Sequence, residues 1–249
     1  MLRRLLLLLL LLPAPALAHV NLAEAPIGRL DLPWWRARWE WSLQEKQADP
    51  HARIIWLGDS ITQNWQRQGG HGYDDFLPVW QHYYAPYQAL DFGFKGDTTA
   101  SLIWRLDHGQ VAGLHPRLAI ILIGANNFGH PHWDAAMTVP GIQSVVRLTA
   151  KNLPGTHIVL LGVLPSIRSA WVDAQTRATN AALARIYTGN ANVTFVNLSA
   201  LFLRDGKADP GLFIDRRLTP PDPPLHPTSE GMTLIAQALA PLVREYAGP

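Results

Sequence analysis

The amino-acid sequence predicts a three-layer α/β fold, in which a five-stranded parallel sheet carries helices on both faces. Three observations point there. Five short apolar, β-prone runs recur along the chain, helix-like stretches separate them, and the runs are continuous rather than alternating. Parallel strands covered on both faces need such continuous runs, and strand–helix alternation over five units gives a doubly wound sheet.

Residues 33–47 read as the first helix and residues 53–57, ending Trp56-Leu57, as the first strand, closed by Gly58. A helix over 74–82 leads to a weaker second strand at 89–93. A helix over 98–109 precedes the strongest run, 118–123, which Gly124 closes. A helix at 141–153, a strand at 157–163, a helix at 168–187, a strand at 193–196 and a last helix over 228–246 complete the alternation. The proline-rich stretch 219–227 is the main irregular segment. No repeat or linker divides the chain, so residues 19–249 read as one domain.

Composition narrows the chemistry. The 249 residues include no cysteine, and 48% are apolar. That excludes a disulfide scaffold, thiolate zinc, an iron–sulfur centre, a cysteine nucleophile and a disordered chain. Arg3 and Arg4 precede an unbroken leucine run from Leu5 to Leu12, followed by Pro13, Pro15 and Ala16-Leu17-Ala18. This is the pattern of a cleavable signal peptide over residues 1–18. A membrane span needs about 18 or more apolar residues, more than this run supplies. The expectation is a periplasmic or secreted chain without stable membrane insertion. The formal charge is +2, and removing Arg3 and Arg4 leaves 19 basic against 19 acidic residues. A nucleic-acid partner is therefore not expected.

Ligands of open parallel sheets bind at the carboxyl ends of the strands, so the residues after each strand matter most. Gly58-Asp59-Ser60 follows the first strand. A serine there is either a helix N-cap or a hydroxyl presented at the crevice, with its N–H at a helix N-terminus. Gly96-Asp97-Thr98 follows the second strand, as a turn and cap or as a close backbone approach to a ligand. Asn126, in Gly124-Ala125-Asn126-Asn127, either fixes a turn or donates its amide to an oxyanion. Leu164-Pro165-Ser166 follows the fourth strand, and His226 lies in a loop ahead of the last helix.

The order and placement of these blocks resemble the SGNH hydrolases, also called the GDSL esterase/lipase family. Gly58-Asp59-Ser60-Ile61 is similar to the nucleophile block, Gly96 and Asn126 to the next two blocks, and His226 to the base. Phe92-Gly93-Phe94-Lys95-Gly96-Asp97-Thr98-Thr99 and Leu102-Ile103-Trp104-Arg105-Leu106 resemble the platelet-activating-factor acetylhydrolase-like branch. The resemblance runs from about residue 35 to residue 245. It implies a flavodoxin-like SGNH fold, Ser60 as nucleophile and His226 as general base. It also implies an oxyanion hole from the Ser60 N–H, the Gly96 N–H and the Asn126 amide, with no cofactor and no metal. One position departs from the family pattern. The aspartate usually three residues before the histidine is replaced by Pro223, with Asp222 one residue further back. Asp222 is the favoured partner of His226, with Asp215 and a backbone carbonyl as alternatives.

Four tryptophans crowd the first helix. At 100° per residue Trp35 and Trp39 share one stripe and Trp34 and Trp41 another. The plain reading is an aromatic face clamped on the sheet, and the other is a platform for sugar rings. Trp65, Trp104 and Trp133 lie nearer the expected crevice, as substrate-contact candidates. His130-Pro131-His132-Trp133-Asp134 reads as a loop that borders the substrate or is merely solvated, rather than a metal site. The expected activity is that of an exported serine esterase removing short acyl groups, acetyl above all, from a carbohydrate, exopolysaccharide or cell-envelope substrate. A lysophospholipase or thioesterase with the same site is the second reading, and a non-catalytic carbohydrate-binding protein on this fold the third.

Overall fold

The structure is a computed structural model that describes residues 20–248. The expected signal peptide at 1–18 lies outside the described residues. Helix α1 (Pro33–Ala48) leads to β1 (Ile54–Gly58) and the single turn α2 (Ser60–Gln63). A small antiparallel hairpin of β2 (Gln68–Gly70) and β3 (Tyr73–Asp75) precedes α3 (Leu77–Tyr83) and β4 (Ala89–Gly93). Next come α4 (Thr99–Asp107), β5 (Leu118–Leu122), α5 (Ala125–Gly129), α6 (Ala135–Asn152) and β6 (His157–Leu161). Helix α7 (Ala170–Tyr187), β7 (Val193–Val196), a hairpin of β8 (Leu203–Arg204) and β9 (Lys207–Ala208), and α8 (Ser229–Ala247) follow.

Strands β4, β1, β5, β6 and β7 form one parallel sheet in that spatial order. Every residue of β1 and β5 is buried, which requires cover on both faces. Helix α3 packs on α8, which lies over β5, while α4, α6 and α7 pack side by side with α6 on β6. The chain leaves β1 for the edge strand β4, then crosses back to β5 on the other side of β1. That reversal opens a crevice above the carboxyl ends of β1, β4 and β5, where such sheets bind ligands. Among the described residues no helix is long and apolar enough to cross a membrane.

All five expected strands are present. Helix boundaries differ where a local bond outweighs the residue pattern. Helix α6 starts at Ala135, before the expected 141, because Asp134 caps it by accepting from the Met137 N–H at 3.0 Å. Pro140 sits inside it and forfeits one backbone bond without ending the helix. Helix α3 starts at Leu77 rather than 74 because Tyr73–Asp75 pairs with Gln68–Gly70.

The aromatic residues sort by face. Trp35 and Trp39 are buried against Phe94 and Trp104, with ring centroids 5.2 to 6.3 Å apart, while Trp34 and Trp41 face solvent. Trp65 is a correction. It is 1% exposed, locked between Trp56, Trp80 and Tyr84 in the core, and contributes packing rather than substrate contact. Trp104 belongs to the α1–α4 interface and stacks on His108 at 3.9 Å.

Candidate active site

The carboxyl end of β1 is built for close approach. A Cβ on Gly58 would lie 2.1 Å from Thr62 Oγ1, so only glycine lets α2 fold directly over the strand end. Asp59 then caps α2, its carboxylate accepting from the Ile61 N–H at 2.9 Å. Burial pushes the Asp59 carboxyl up to about 6, against the Ile61 N–H bond and the Arg168 charge, which lower it. Ser60 is therefore the first residue of the turn, and Asp59 is the cap. Ser60 is not the N-cap, so its hydroxyl is left for the crevice.

Ser60 Oγ lies 2.9 Å from His226 Nε2. On the other side of the imidazole, His226 Nδ1 lies 2.5 Å from Asp215 Oδ1. A carboxylate only accepts, so Nδ1 carries the proton and Nε2 is free to accept from the serine. The second oxygen, Asp215 Oδ2, accepts from the backbone N–H groups of Leu225 at 2.6 Å and His226 at 2.7 Å. Asp215 is fully buried, and three donors hold its charge in place.

The expectation that Asp222 orients His226 is not met. Asp222 is exposed, and its contribution is a backbone N–H donated to the Asp215 carbonyl at 3.0 Å. The reason is a non-local pairing. The Ile214 N–H donates to His226 O and the Thr228 N–H to Leu212 O, so segment 212–214 runs antiparallel beside 226–228. Asp215 thus reaches the ring from a neighbouring segment, while Pro223 and Pro224 carry Asp222 out to solvent. Ser166 steadies the same loop by donating to Pro224 O at 3.2 Å.

The Gly96 loop stands opposite. Gly96 has φ +72°, a conformation that favours glycine, and the Lys95 N–H donates to Gln63 Oε1 at 2.7 Å. Asn126 Nδ2 donates to Asp97 O at 3.0 Å, which uses one of its two amide protons. Asn127 accepts from the Thr99 N–H at 3.0 Å and donates to Thr99 Oγ1 at 2.8 Å, so α5 and the start of α4 are tied twice. Among the described residues neither the Ser60 nor the Gly96 backbone N–H has a hydrogen-bond partner. Donors left free at the end of a strand are what an anionic centre needs.

Two supporting residues were not singled out by the sequence reading. Asp97 is fully buried, accepting from Trp35 Nε1 at 2.7 Å and from Arg105 Nε at 2.8 Å. The Arg105 guanidinium also donates to Phe92 O at 3.1 Å and Gly58 O at 3.0 Å, which joins β1, β4 and the Gly96 loop. Burial draws Arg105 down to about 10, against the raising effect of Asp97, so it stays charged at neutral pH. Their signal was available: an arginine inside an otherwise apolar helical stripe needs a buried acid. Tyr73 stands edge-on to His226 at 5.9 Å, and its neighbour Asp74 accepts from the Ser229 N–H at 2.7 Å. The hairpin therefore anchors at the start of α8. A cleft of about 330 Å³ opens beside Ser60, and Tyr73, Lys95 and Trp41 also line it. Among the described residues no three His, Asp or Glu side chains gather as a metal centre, and His130 and His132 are exposed.

The sequence pattern of the GDSL-like Lipase/Acylhydrolase family matches residues 56–234. The platelet-activating factor acetylhydrolase IB subunit alpha1 of Bos taurus is 30% identical over 117 residues, 47% of this chain and 45% of that protein. The match thus spans just under half the length of this curated relative. A GDSL-like lipase from Bacteroides thetaiotaomicron superposes with a TM-score of 0.65 at 19% identity, over 84% of this chain and 98% of the other. The M. smegmatis aryl esterase superposes with a TM-score of 0.56 at 18% identity, over 78% of this chain and 99% of the other. The two structures share the fold, and the sequence match over residues 56–234 takes in both Ser60 and His226. The chain belongs to the GDSL-like lipase/acylhydrolase family.

Proposed function

We propose that the protein is an exported esterase that removes short acyl groups, acetyl above all, from a carbohydrate or cell-envelope polymer. The observation that carries the chemistry is the unbroken line from Ser60 Oγ through His226 to buried Asp215. As the ester carbonyl docks, Nε2 of His226 takes the Ser60 proton while Oγ bonds to the carbonyl carbon. The carbonyl oxygen becomes an oxyanion facing the N–H groups of Ser60 and Gly96 and the free amide proton of Asn126. Collapse of the tetrahedral centre breaks the bond to the alcohol, which leaves with the proton from Nε2. Water then repeats the sequence on acyl-Ser60, with His226 as base, and releases the carboxylic acid. Asp215 keeps the Nδ1–H tautomer and stabilises the imidazolium formed at each step.

Two features favour the substrate class, and a third favours the alternative. The residues expected as a signal peptide argue for export. The cleft beside Ser60 is walled by polar, charged and aromatic side chains, which suits a sugar better than a long acyl chain. The relative's name, platelet-activating factor acetylhydrolase, joins an acetyl ester to a lipid and supports a phospholipid as the second reading. Acetate release separates the two readings. The expected result is release from acetylated polysaccharides and none from acetylated phospholipids, and the reverse pattern sinks the carbohydrate assignment.

Asn126 gives an independent check on the oxyanion assignment. Asn126→Ala is expected to lower kcat about 100- to 1000-fold with a smaller change in KM, the usual cost of one oxyanion donor. Steady-state kinetics on a soluble acetyl ester measure it. A loss confined to KM sinks the assignment.

A further inference from the structure

We propose that the cleft beside Ser60 holds the alcohol part of the ester and that this part is an acidic sugar, its carboxylate taken by Arg67 and Lys95. The proposal rests on the serine-esterase reading and names its substrate more closely. Three cations line the cleft, Arg38, Arg67 and Lys95, against a single acid, Asp91. Asp91 already faces Arg38, which lies 3.8 Å from its carboxylate and donates from Nη2 to the Asp91 carbonyl at 2.6 Å and from Nε to the Gly93 carbonyl at 3.0 Å. Among the described residues neither Arg67 nor Lys95 has a carboxylate within 4.0 Å, and neither side chain donates a hydrogen bond to the protein. Beyond residues 1–18 the chain balances 19 basic against 19 acidic residues, so the excess of cations in this cleft is a local one.

The walls argue for a sugar as the bearer of the charge. Arg67 is half-buried with its guanidinium 3.5 Å over the Tyr73 ring, which fixes it without using its donors. Such a fork matches a carboxylate in two hydrogen bonds. Trp41, which also lines the cleft, is 37% exposed, with Arg38 against its ring at 4.0 Å. An aromatic face beside polar walls is a platform for a sugar ring. Tyr73 also borders His226, so a ring placed here leaves its ester oxygen beside the base.

The test uses the full chain carrying Ser60→Ala, in which the ester is not consumed. Isothermal titration compares an acetylated oligogalacturonide, the matched acetylated xylo-oligosaccharide, and acetyl-glycerol phosphate. The oligogalacturonide is expected to bind at least about tenfold more tightly than the neutral sugar, the order of a charge-assisted contact. That preference is expected to fall to near parity when Arg67→Gln and Lys95→Gln are added, and to shrink as salt rises. Arg67→Lys, which keeps the charge and loses the fork, is expected to retain part of it, and an unchanged melting temperature shows that the variants fold. Equal binding of acidic and neutral sugars, a preference that survives the double change, or tighter binding of the phosphate ester overturns the proposal. Preferential binding without acetate release by the wild-type protein would instead overturn the esterase reading and leave the acidic-sugar site standing.

Discussion

Ser60→Ala is expected to lower kcat on an acetyl ester by about 10⁶-fold and to abolish covalent labelling by a fluorophosphonate. The size follows from what the hydroxyl does. Without Oγ there is no acyl-enzyme, and the remaining rate is what the oxyanion donors and substrate binding give to attack by water. That residue is about 10³- to 10⁴-fold over the uncatalysed reaction. His226→Ala is expected to cost nearly as much, because the 2.9 Å contact is what makes Ser60 a nucleophile at neutral pH. The two changes together then cost little more than either alone, since they disable one unit. Mass spectrometry after labelling, with single-turnover rates for the three variants, measures this. Labelling that persists in Ser60→Ala, or losses that multiply in the double variant, places the nucleophile elsewhere.

What was legible in the sequence followed the physics of each element. The five strands showed themselves because burial on both faces removes polar residues from every position, and Leu118–Leu122 is the plainest case. Ser60, Gly96 and Asn126 were legible because a parallel sheet gathers the residues after its strands at one edge. The hairpin Gln68–Gly70 and Tyr73–Asp75 was not, since strands of only three residues, Gln-Gly-Gly and Tyr-Asp-Asp, carry no apolar period. Trp65 was misplaced for a related reason. A lone ring after a catalytic turn does not declare its face, and only Trp56, Trp80 and Tyr84 around it settle that it points inward. Arg105 and Asp97 formed a buried pair over eight positions, legible in principle as an ion inside an apolar stripe. The partner of His226 was beyond local reading, because spacing along the chain could not reveal that segment 212–214 lies beside 226–228.

Asp215→Asn decides that last point, and it is expected to lower kcat about 10⁴-fold while Asp222→Asn changes it less than about twofold. An amide at 215 presents either its oxygen or its NH₂ to His226 Nδ1. The backbone donors of Leu225 and His226 claim the oxygen, since each would otherwise lose its acceptor inside the protein. The NH₂ then faces Nδ1, which must give up its proton and accept. The ring proton moves to Nε2, and His226 meets Ser60 with a donor where a base is required. The fold should suffer less than the rate, because the oxygen that holds the loop survives, and a melting curve beside the kinetics separates the two effects. At Asp222 the side chain faces solvent, and only its backbone N–H reaches the site, through the Asp215 carbonyl. Removing its charge leaves that bond in place. The opposite pattern, full activity in Asp215→Asn and a large loss in Asp222→Asn, would mean that the loop rearranges before catalysis and that Pro223 and Pro224 do not hold Asp222 away from the ring.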